Sequence, residues 1–533
     1  MSTPRTLTMT SAARISRLIR TIDPLMILWY SGVVVLSVAV GIIMVLTGGK
    51  VVDGFALITV LVIIFASFYR ADLAFYLLFG MVLFFDQTMN AMPFQNSVTY
   101  SAGYFLNLKQ SPLLPGLSIG VMNPIEIQLV LIILGMFIAA VVRRKANVQR
   151  VPLWGFAILL AFWIAFSEFH GLRTGGEFLK SLWEIRALTY FLLLYFLVPQ
   201  VIQTREQLNV LMWVFIIVVS FKAFQGAGRF AYLGFRFRGY DVLTNHEDPL
   251  FMGDLIIMLM GMIMFGAREK QRKVILWLLP LLLLGFYSGQ RRAAYGGFAV
   301  AIVLFVVMLD TKKRIKLFKV ALPLLILAGA YTAVFWNDTG RAGAVIQLIK
   351  SGFSDTRRGA GQRYYSNLGR QIERYDLATT VRAYPVDGVG FGKKYLQPIN
   401  LNLGISPWSL RSYIPHNEIL WLLVKMGAIG FFIFWLFIDA LVFEAARLGR
   451  ILKDPYLRSI AFMIATALGS QMVASYFDLQ LTYYRNMILL GTLCGLLPTL
   501  KALDKEQSST PGQSKDANKL NETVTGKGVP TWA

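Results

Sequence analysis

The sequence predicts an all-α polytopic membrane protein with about 12–14 transmembrane helices and one large, partly helical outer loop. Three observations lead there. Of 533 residues, 56% are hydrophobic and only 15% are charged, with a mean hydropathy of +0.58. Apolar runs of about twenty residues recur along the chain, enough to cross a ~30 Å hydrocarbon core at ~1.5 Å per residue. Basic residues gather in the short segments between these runs, where positive-inside orientation places them. A string of soluble domains is excluded.

Residues 1–24 form a basic start (Arg5, Arg14, Arg17, Arg20) before a full-length span. No small-residue cleavage pattern follows, so this reads as a retained cytoplasmic N-terminus. The apolar spans lie near 25–47, 52–69, 72–86, 123–142, 152–169, 186–203, 208–225, 249–267, 274–289, 292–309, 317–336, 415–443, 456–476 and 482–500. The third is the weakest: Asp72 to Asp86 reaches only about 20 Å as a helix, which suits a re-entrant or tilted segment. The chain thus divides into a first helix set (25–336) with outer loops 87–122 and 226–248, a large outer loop (337–414) and C-terminal helices (415–500). Residues 501–533, rich in Ser, Thr, Lys, Gly and Asn, read as a disordered cytoplasmic tail.

The clusters Arg143-Arg144-Lys145, Arg268 to Lys273, Lys312-Lys313-Arg314 and Arg447-Arg450-Lys453 all fall on one side, with both termini. That side is read as cytoplasmic. The net charge of +23 is then explained at headgroup level, and nucleic acid is not an expected partner; membrane lipids are. The single cysteine, Cys494, lies in the last span, so neither an internal disulfide nor a thiolate metal site can be built.

Positive-inside bias predicts few cations in outer loops, so the exceptions carry information. Segment 226–248 holds Arg229, Arg236 and Arg238; the large loop adds Arg341, Arg357, Arg358, Arg363, Arg370, Arg374, Arg382 and Arg411. Contact with anionic headgroups explains any one of them, and long loops escape the orientation rule. The pair Arg291-Arg292 differs, because it sits in a tight turn with apolar sequence on both sides. A cation at that depth is costly unless paired or facing a wet cavity, and so marks a site. Guanidinium forks suit phosphate oxygens, and Phe235-Arg236-Phe-Arg238-Gly239-Tyr interleaves cations with aromatics. Together these imply an outward-facing pocket for a phosphorylated amphiphile. His416, one of three histidines, stands where the polar loop gives way to the span at 415–443. Its ordinary titration range suits a general base near neutral pH; the alternative is an interfacial residue bonded to a nearby carbonyl. Asn417 fits a helix cap and Glu418 a first-turn anion that faces away from His416.

Four pieces, in order, resemble the O-antigen ligase and polymerase superfamily of bacterial membrane glycosyltransferases. They are Arg236-Phe-Arg238-Gly239-Tyr with Asn245-His-Glu-Asp-Pro249, and the turn Ser288-Gly-Gln-Arg291-Arg292-Ala-Ala. The others are Pro385-Val-Asp-Gly388-Val-Gly390-Phe-Gly392 and Pro415-His416-Asn417-Glu418 with Lys425-Met-Gly427-Ala-Ile-Gly430. The likeness covers roughly 186–443. Arg291 stands where the family has serine, which makes Arg292 the better match for the family's arginine, and the Asn/Pro element is spread out.

The resemblance implies transfer of a glycan from an undecaprenyl-diphosphate-linked donor to a hydroxyl of lipid A core or a growing polysaccharide. It further implies inversion, no metal or other cofactor, and a site facing the periplasm from the inner membrane. On that reading His416 is the base, with a helix N-terminus beneath it tending to keep the imidazole neutral. Arg292, Arg238, Arg236 and Arg291 meet the diphosphate charge, with Asn417, Arg363 and Arg382 as secondary candidates. Ligase and polymerase both remain open, ligase slightly favoured. A transporter of lipid-linked glycans would also need cations, but predicts charges through the bundle midplane or internal repeats. A scaffold gives no reason for arginines in a tight outer turn. His246 in Asn-His-Glu-Asp could be read as a metal ligand, but no cysteine or neighbouring histidine completes a set. Gly388-Val-Gly-Phe-Gly392 lacks a strand–helix context for nucleotide binding and reads as a shaping turn.

Overall fold

The structure, a computed structural model, describes residues 31–32, 34, 37–38, 58, 62–88, 94, 97–110, 120–143, 148–237, 242–338, 340, 343, 346, 361–399 and 410–509. The fold is all-α and polytopic, as its hydropathy requires. Its principal helices are α1 (Ala71–Phe84), α2 (Pro124–Arg143), α3 (Trp154–Arg173), α4 (Phe178–Val201), α5 (Arg205–Tyr232), α6 (Asp248–Phe265) and α7 (Lys270–Ser288). They continue with α8 (Arg292–Met308), α9 (Thr311–Val334), α10 (Gly361–Ala383), α11 (Glu418–Ile451), α12 (Pro455–Phe477) and α13 (Tyr484–Ser509). Among the described residues nine are long and apolar enough to span a membrane: α2 to α6, α9, α11, α12 and α13. Helices α1 and α8 are apolar but shorter, and α7 opens on Lys270, Arg272 and Lys273. The expected spans at 25–47 and 52–69 fall largely outside the described residues.

Two compact units are present, residues 1–74 with 101–138, and 75–100 with 139–533. In the first, Asn123 caps α2: its Oδ1 accepts from Glu126 N–H at 2.9 Å while Glu126 Oε2 accepts from Asn123 N–H at 2.8 Å. This reciprocal box, with Pro124 at the first helical position, satisfies orphan donors of the first turn.

In the second unit α12 is central, packing against α6, α8 and α11, while α13 packs along α4. Small buried residues of α12 (Ser459, Ala461, Ala465, Ala467, Ser470, Ala474) let neighbouring backbones approach closely, the usual basis of helix association in lipid. At one end of the bundle Arg205 reaches Glu269 and Asp454, at 3.0 and 3.3 Å, and Asp504 accepts from Lys453 and Asp454 N–H. Arg458 lies near Asp310. These contacts gather onto one end the loops of Arg268 to Lys273, Lys312 to Arg314 and Arg447 to Lys453, which were expected to share a side; Arg144 and Lys145 lie outside the described residues. Asp454 caps α12 there, accepting from Tyr456 and Leu457 N–H.

The buried charges of this unit's helices show the opposite bias. Glu184, Arg186, Lys222, Asp248, Asp254, Glu418, Lys425 and Arg485 all sit in the half of their helix away from that basic end. Several charges thus lie inside the helices, each near the far end. For Arg485 and Lys222 this burial is sustained by pairing. Arg485, fully buried, donates to the Leu83 carbonyl at 2.7 Å and to Asp248 Oδ1 at 2.7 Å, while Lys222 pairs with Asp86 and lies 3.6 Å from Asp248.

Candidate functional site

Three consecutive residues at the start of α11 fix three different segments. The Oδ1 of Asn417 accepts from Leu420 N–H at 3.0 Å, as an N-cap should. Glu418, wholly buried, accepts from the N–H groups of Gln480, Leu481 and Thr482 and from the Thr482 hydroxyl. It therefore nails the α12–α13 connection to the mouth of α11, rather than simply facing the helix dipole. His416 faces elsewhere: its N–H donates to Glu373 Oε1 at 2.6 Å and its Nδ1 meets Glu373 Oε2 at 3.1 Å. The Glu373 side chain is 5% exposed, and that of His416 is 37% exposed.

The connection held by Glu418 begins with Asp478, and this carboxylate meets the arginine turn. Arg291 Nη2 lies 2.6 Å from His246 Nε2, and His246 Nδ1 lies 3.2 Å from Asp478 Oδ2. Arg291 Nη1 is 3.5 Å from the same Asp478 oxygen. A guanidinium can only donate, so Nε2 of His246 accepts and Nδ1 carries the proton toward Asp478. Burial and the Arg291 charge both push the His246 imidazole below its ordinary range, which keeps it neutral. Burial pushes the Asp478 carboxyl up, but His246, Arg291 and Arg370 overcome it and hold the group well below the usual carboxylate range. His416 is within electrostatic reach of His246, as Arg370 is of Asp478.

The turn that presents Arg291 is strained. Gln290 adopts φ +48°, in the left-handed region that non-glycine residues seldom occupy. Its neighbour Ser288 accepts from Leu243 N–H, which ties the turn to the segment carrying His246. Buried nitrogens also lack acceptors: Nε of Arg291, Nε of Arg370, Nδ2 of Asn245 and Nδ2 of Asn417 have no hydrogen-bond partner among the described residues. Buried polar groups are normally paired. Of these, Arg291 lies beside Asp478 and Arg370 acts on the same carboxylate, so two guanidinium Nε–H groups are left over there, a setting that suits an anion.

Segment 244–248 is clamped from beneath. Asp248 Oδ2 accepts from Asn245 N–H at 3.1 Å, and Arg485 bonds Asp248 and lies 3.5 Å from Glu247. Burial pushes Glu247 up to about 7, Arg485 pulling against it and Asp248 adding to it.

The glycine-rich segment after α10 docks into a break in α11. Gly427 has φ +64° and ψ −175°, which interrupts the helix. The carbonyls freed there are taken up by the loop: Val389 N–H donates to Val424 O and Gly390 N–H to Lys425 O, while Ala428 N–H reaches Pro385 O. Non-helical backbone at membrane depth is tolerated when protein satisfies it in this way. Gly388 also has positive φ, and a Cβ on it would stand 2.6 Å from Gly427 N. Lys425 and Glu184, both completely buried, pair at 2.7 Å, and Glu184 also accepts from Gly392 N–H. Two motifs that read separately in sequence are thus one joint.

Of the expected site residues, His416 and Arg291 fall into this constellation and Asn417 is the helix cap beside it. Arg292 opens α8, partly buried. Arg236 is exposed at the end of the α5 turn, and Arg382 is exposed on the last turn of α10. Arg238 and the Arg363 side chain lie outside the described residues. Arg229 is buried and donates to Leu243 O and Ser97 Oγ, a holding contact for the loop. Glu373, Arg370 and Asp478 were not anticipated as site residues. An acid at the far end of α12 was the available signal for Asp478; nothing local marks Glu373. Among the described residues no group of three or more His, Cys, Asp or Glu side chains is arranged to hold a metal.

Residues 255–435 match the family model described as O-antigen ligase. The match supports membership of the O-antigen ligase superfamily. The matched segment runs from within α6 to within α11 and takes in Arg291, Arg292, Arg370, Glu373, both glycine elements and His416. His246 and Asp478 lie outside it. No curated protein matches the chain. The O-antigen ligase match supports a ligase-like or polymerase-family enzyme of glycosyl transfer, embedded as a multi-pass membrane protein. The family acts on lipid-linked glycans and polysaccharide acceptors.

Proposed function

We propose that this chain transfers a glycan from a polyprenyl-diphosphate carrier to an acceptor hydroxyl, at the periplasmic face of the inner membrane, in a ligase-like reaction. The observation that carries the reading is the pairing of an open imidazole with cations: His416, backed through Nδ1, stands in the field of the Arg291–His246–Asp478 cluster. The acceptor O–H gives its proton to His416 Nε2 as its oxygen bonds to the anomeric carbon. The bond from that carbon to the diphosphate oxygen breaks, and its electron pair leaves with the lipid diphosphate. Attack from the side opposite the leaving group inverts the anomeric centre.

Arg291, with Arg292 and Arg370 beside it, meets the charge building on the departing diphosphate, the kind of fixed electrostatic help that lowers such barriers most. Asp478 and His246 hold the Arg291 fork before substrate arrives. Arg236 and Arg238 serve in this reading as further cations for the donor phosphates. In this reading His416 takes the proton and the arginines take the place a metal would have at the diphosphate. The basic loops gathered at the other end of the bundle support an orientation of the site toward the periplasm.

Deletion of the gene, followed by surface-glycan analysis and complementation, tests this. His416→Ala and Arg291→Ala, at normal expression, should fail to restore glycan; restoration by both removes the catalytic assignment. Full-length lipid-linked polymer accumulating in the deletion supports ligation. Accumulation of single lipid-linked repeats supports the second reading, chain-to-chain polymerisation by the same chemistry.

A further inference from the structure

We infer that Glu373, on the long helix α10 of the outer loop, is the positioning residue that sets the tautomer of His416 and so makes its Nε2 the proton acceptor. This rests on the reading of His416 as the base. The carboxylate is used twice by one residue: Oε1 takes the His416 backbone N–H at 2.6 Å and Oε2 faces Nδ1 at 3.1 Å. Both the main chain and the ring are therefore indexed to the same group, which is almost completely buried.

A carboxylate has only acceptor sites. Facing it, the neutral ring must place its proton on Nδ1, which leaves the Nε2 lone pair available. An amide at position 373 changes this. Its single oxygen can serve only one of the two donors, and its NH2 would face the other. If the oxygen stays with the backbone N–H, the NH2 faces Nδ1, the ring proton moves to Nε2, and the lone pair needed for catalysis is lost. Removal of a tautomer-setting carboxylate acts on the chemical step rather than on substrate capture.

The placement on α10 adds a second consequence. Arg370 lies one turn earlier on the same helix and acts on Asp478, so undocking the helix would disturb the cation cluster as well as the base. A purely structural role for Glu373 would therefore raise the KM for the donor; a positioning role would not.

The test uses the full-length chain in nanodiscs. Lipid-linked glycan from the deletion strain serves as donor, and lipopolysaccharide core or polysaccharide from the same strain as acceptor. Glu373→Gln should lower kcat by roughly 10²-fold, within the range general-base catalysis supplies, with donor KM unchanged. Glu373→Asp, which keeps two acceptor oxygens, should recover much of that loss, and Gln371→Ala on the exposed face of the same helix should match wild type. Wild-type kcat in Glu373→Gln, with His416→Ala inactive, overturns the role of Glu373 alone. Wild-type kcat in His416→Ala overturns the base assignment itself. A rise in donor KM accompanying the fall in kcat assigns Glu373 to helix docking and also overturns the inference. Should Glu373→Gln not fold, Glu373→Asp carries the same split: a lower kcat at constant donor KM supports positioning, and a joint change overturns it.

Discussion

Gly427 of α11 lies so close to the Val386 carbonyl that no side chain fits between them. The helix breaks at this contact, and the glycine-rich segment enters the break. Gly427→Ala places a Cβ both in a steric clash and in a backbone region that is nearly exclusive to glycine. The expected cost is about 3 kcal/mol or more. A large drop in thermal unfolding temperature, or loss of monodisperse protein in detergent, is the outcome; a wild-type melt would show that the break is not built on this contact.

Arg291 carries a more chemical prediction. Its fork spans His246 Nε2 and Asp478, and a lysine ammonium on a flexible stem reproduces only one of those contacts. Arg291→Lys should therefore reduce transfer by roughly 10²-fold in a purified assay while leaving the melting temperature close to wild type. Equal rates for the two proteins would remove Arg291 from the reaction.

The buried pair Lys425–Glu184 gives a stability test. Lys425→Met strands a carboxylate whose remaining partners are Gly392 N–H and Trp421 Nε1, at an expected cost of about 3–5 kcal/mol. Adding Glu184→Gln should recover part of it, because the amide oxygen still accepts from Gly392. A double-mutant cycle on thermal unfolding measures the coupling, and additive losses would mean the two charges do not depend on one another.

Stability should also depend on pH through Glu247. Burial raises its folded value to about 7 from an ordinary 4.5. The folded protein keeps this proton over a window in which the unfolded chain has lost it. The contribution is full below about 4.5 and is lost as pH rises toward about 7. Wild type should therefore lose stability relative to Glu247→Gln across that interval. A difference in unfolding temperature that stays constant from pH 5 to 7.5 would contradict the assignment.

Much of this architecture was legible in the sequence. Apolar run length gave the helix bundle, and the basic segments around Arg268, Arg314 and Arg450 foretold which loops share an end. Arg291 and His416 stood out for local reasons, a cation in a tight apolar turn and an imidazole at a helix mouth. Glu373 and Asp478 did not, because their significance comes from contacts with residues far away in the chain. A carboxylate among Arg370 and Arg374 reads as charge balance until folding brings His416 against it. The break at Gly427 was hidden for a related reason: a largely apolar run says nothing of which carbonyls a distant loop will capture. The glycines of both elements were visible, but their mutual fit was not.

The order His416-Asn417-Glu418 has a consequence for how the chain tolerates length change. Each residue is committed to a different segment: α10, the first turn of α11, and the α12–α13 connection. In a helix one inserted residue turns everything beyond it by roughly 100°. An insertion between His416 and Leu420 would leave no phase in which all three commitments are met. Length variation belongs elsewhere in the outer loop, and the interval from 416 to 420 is a fixed ruler.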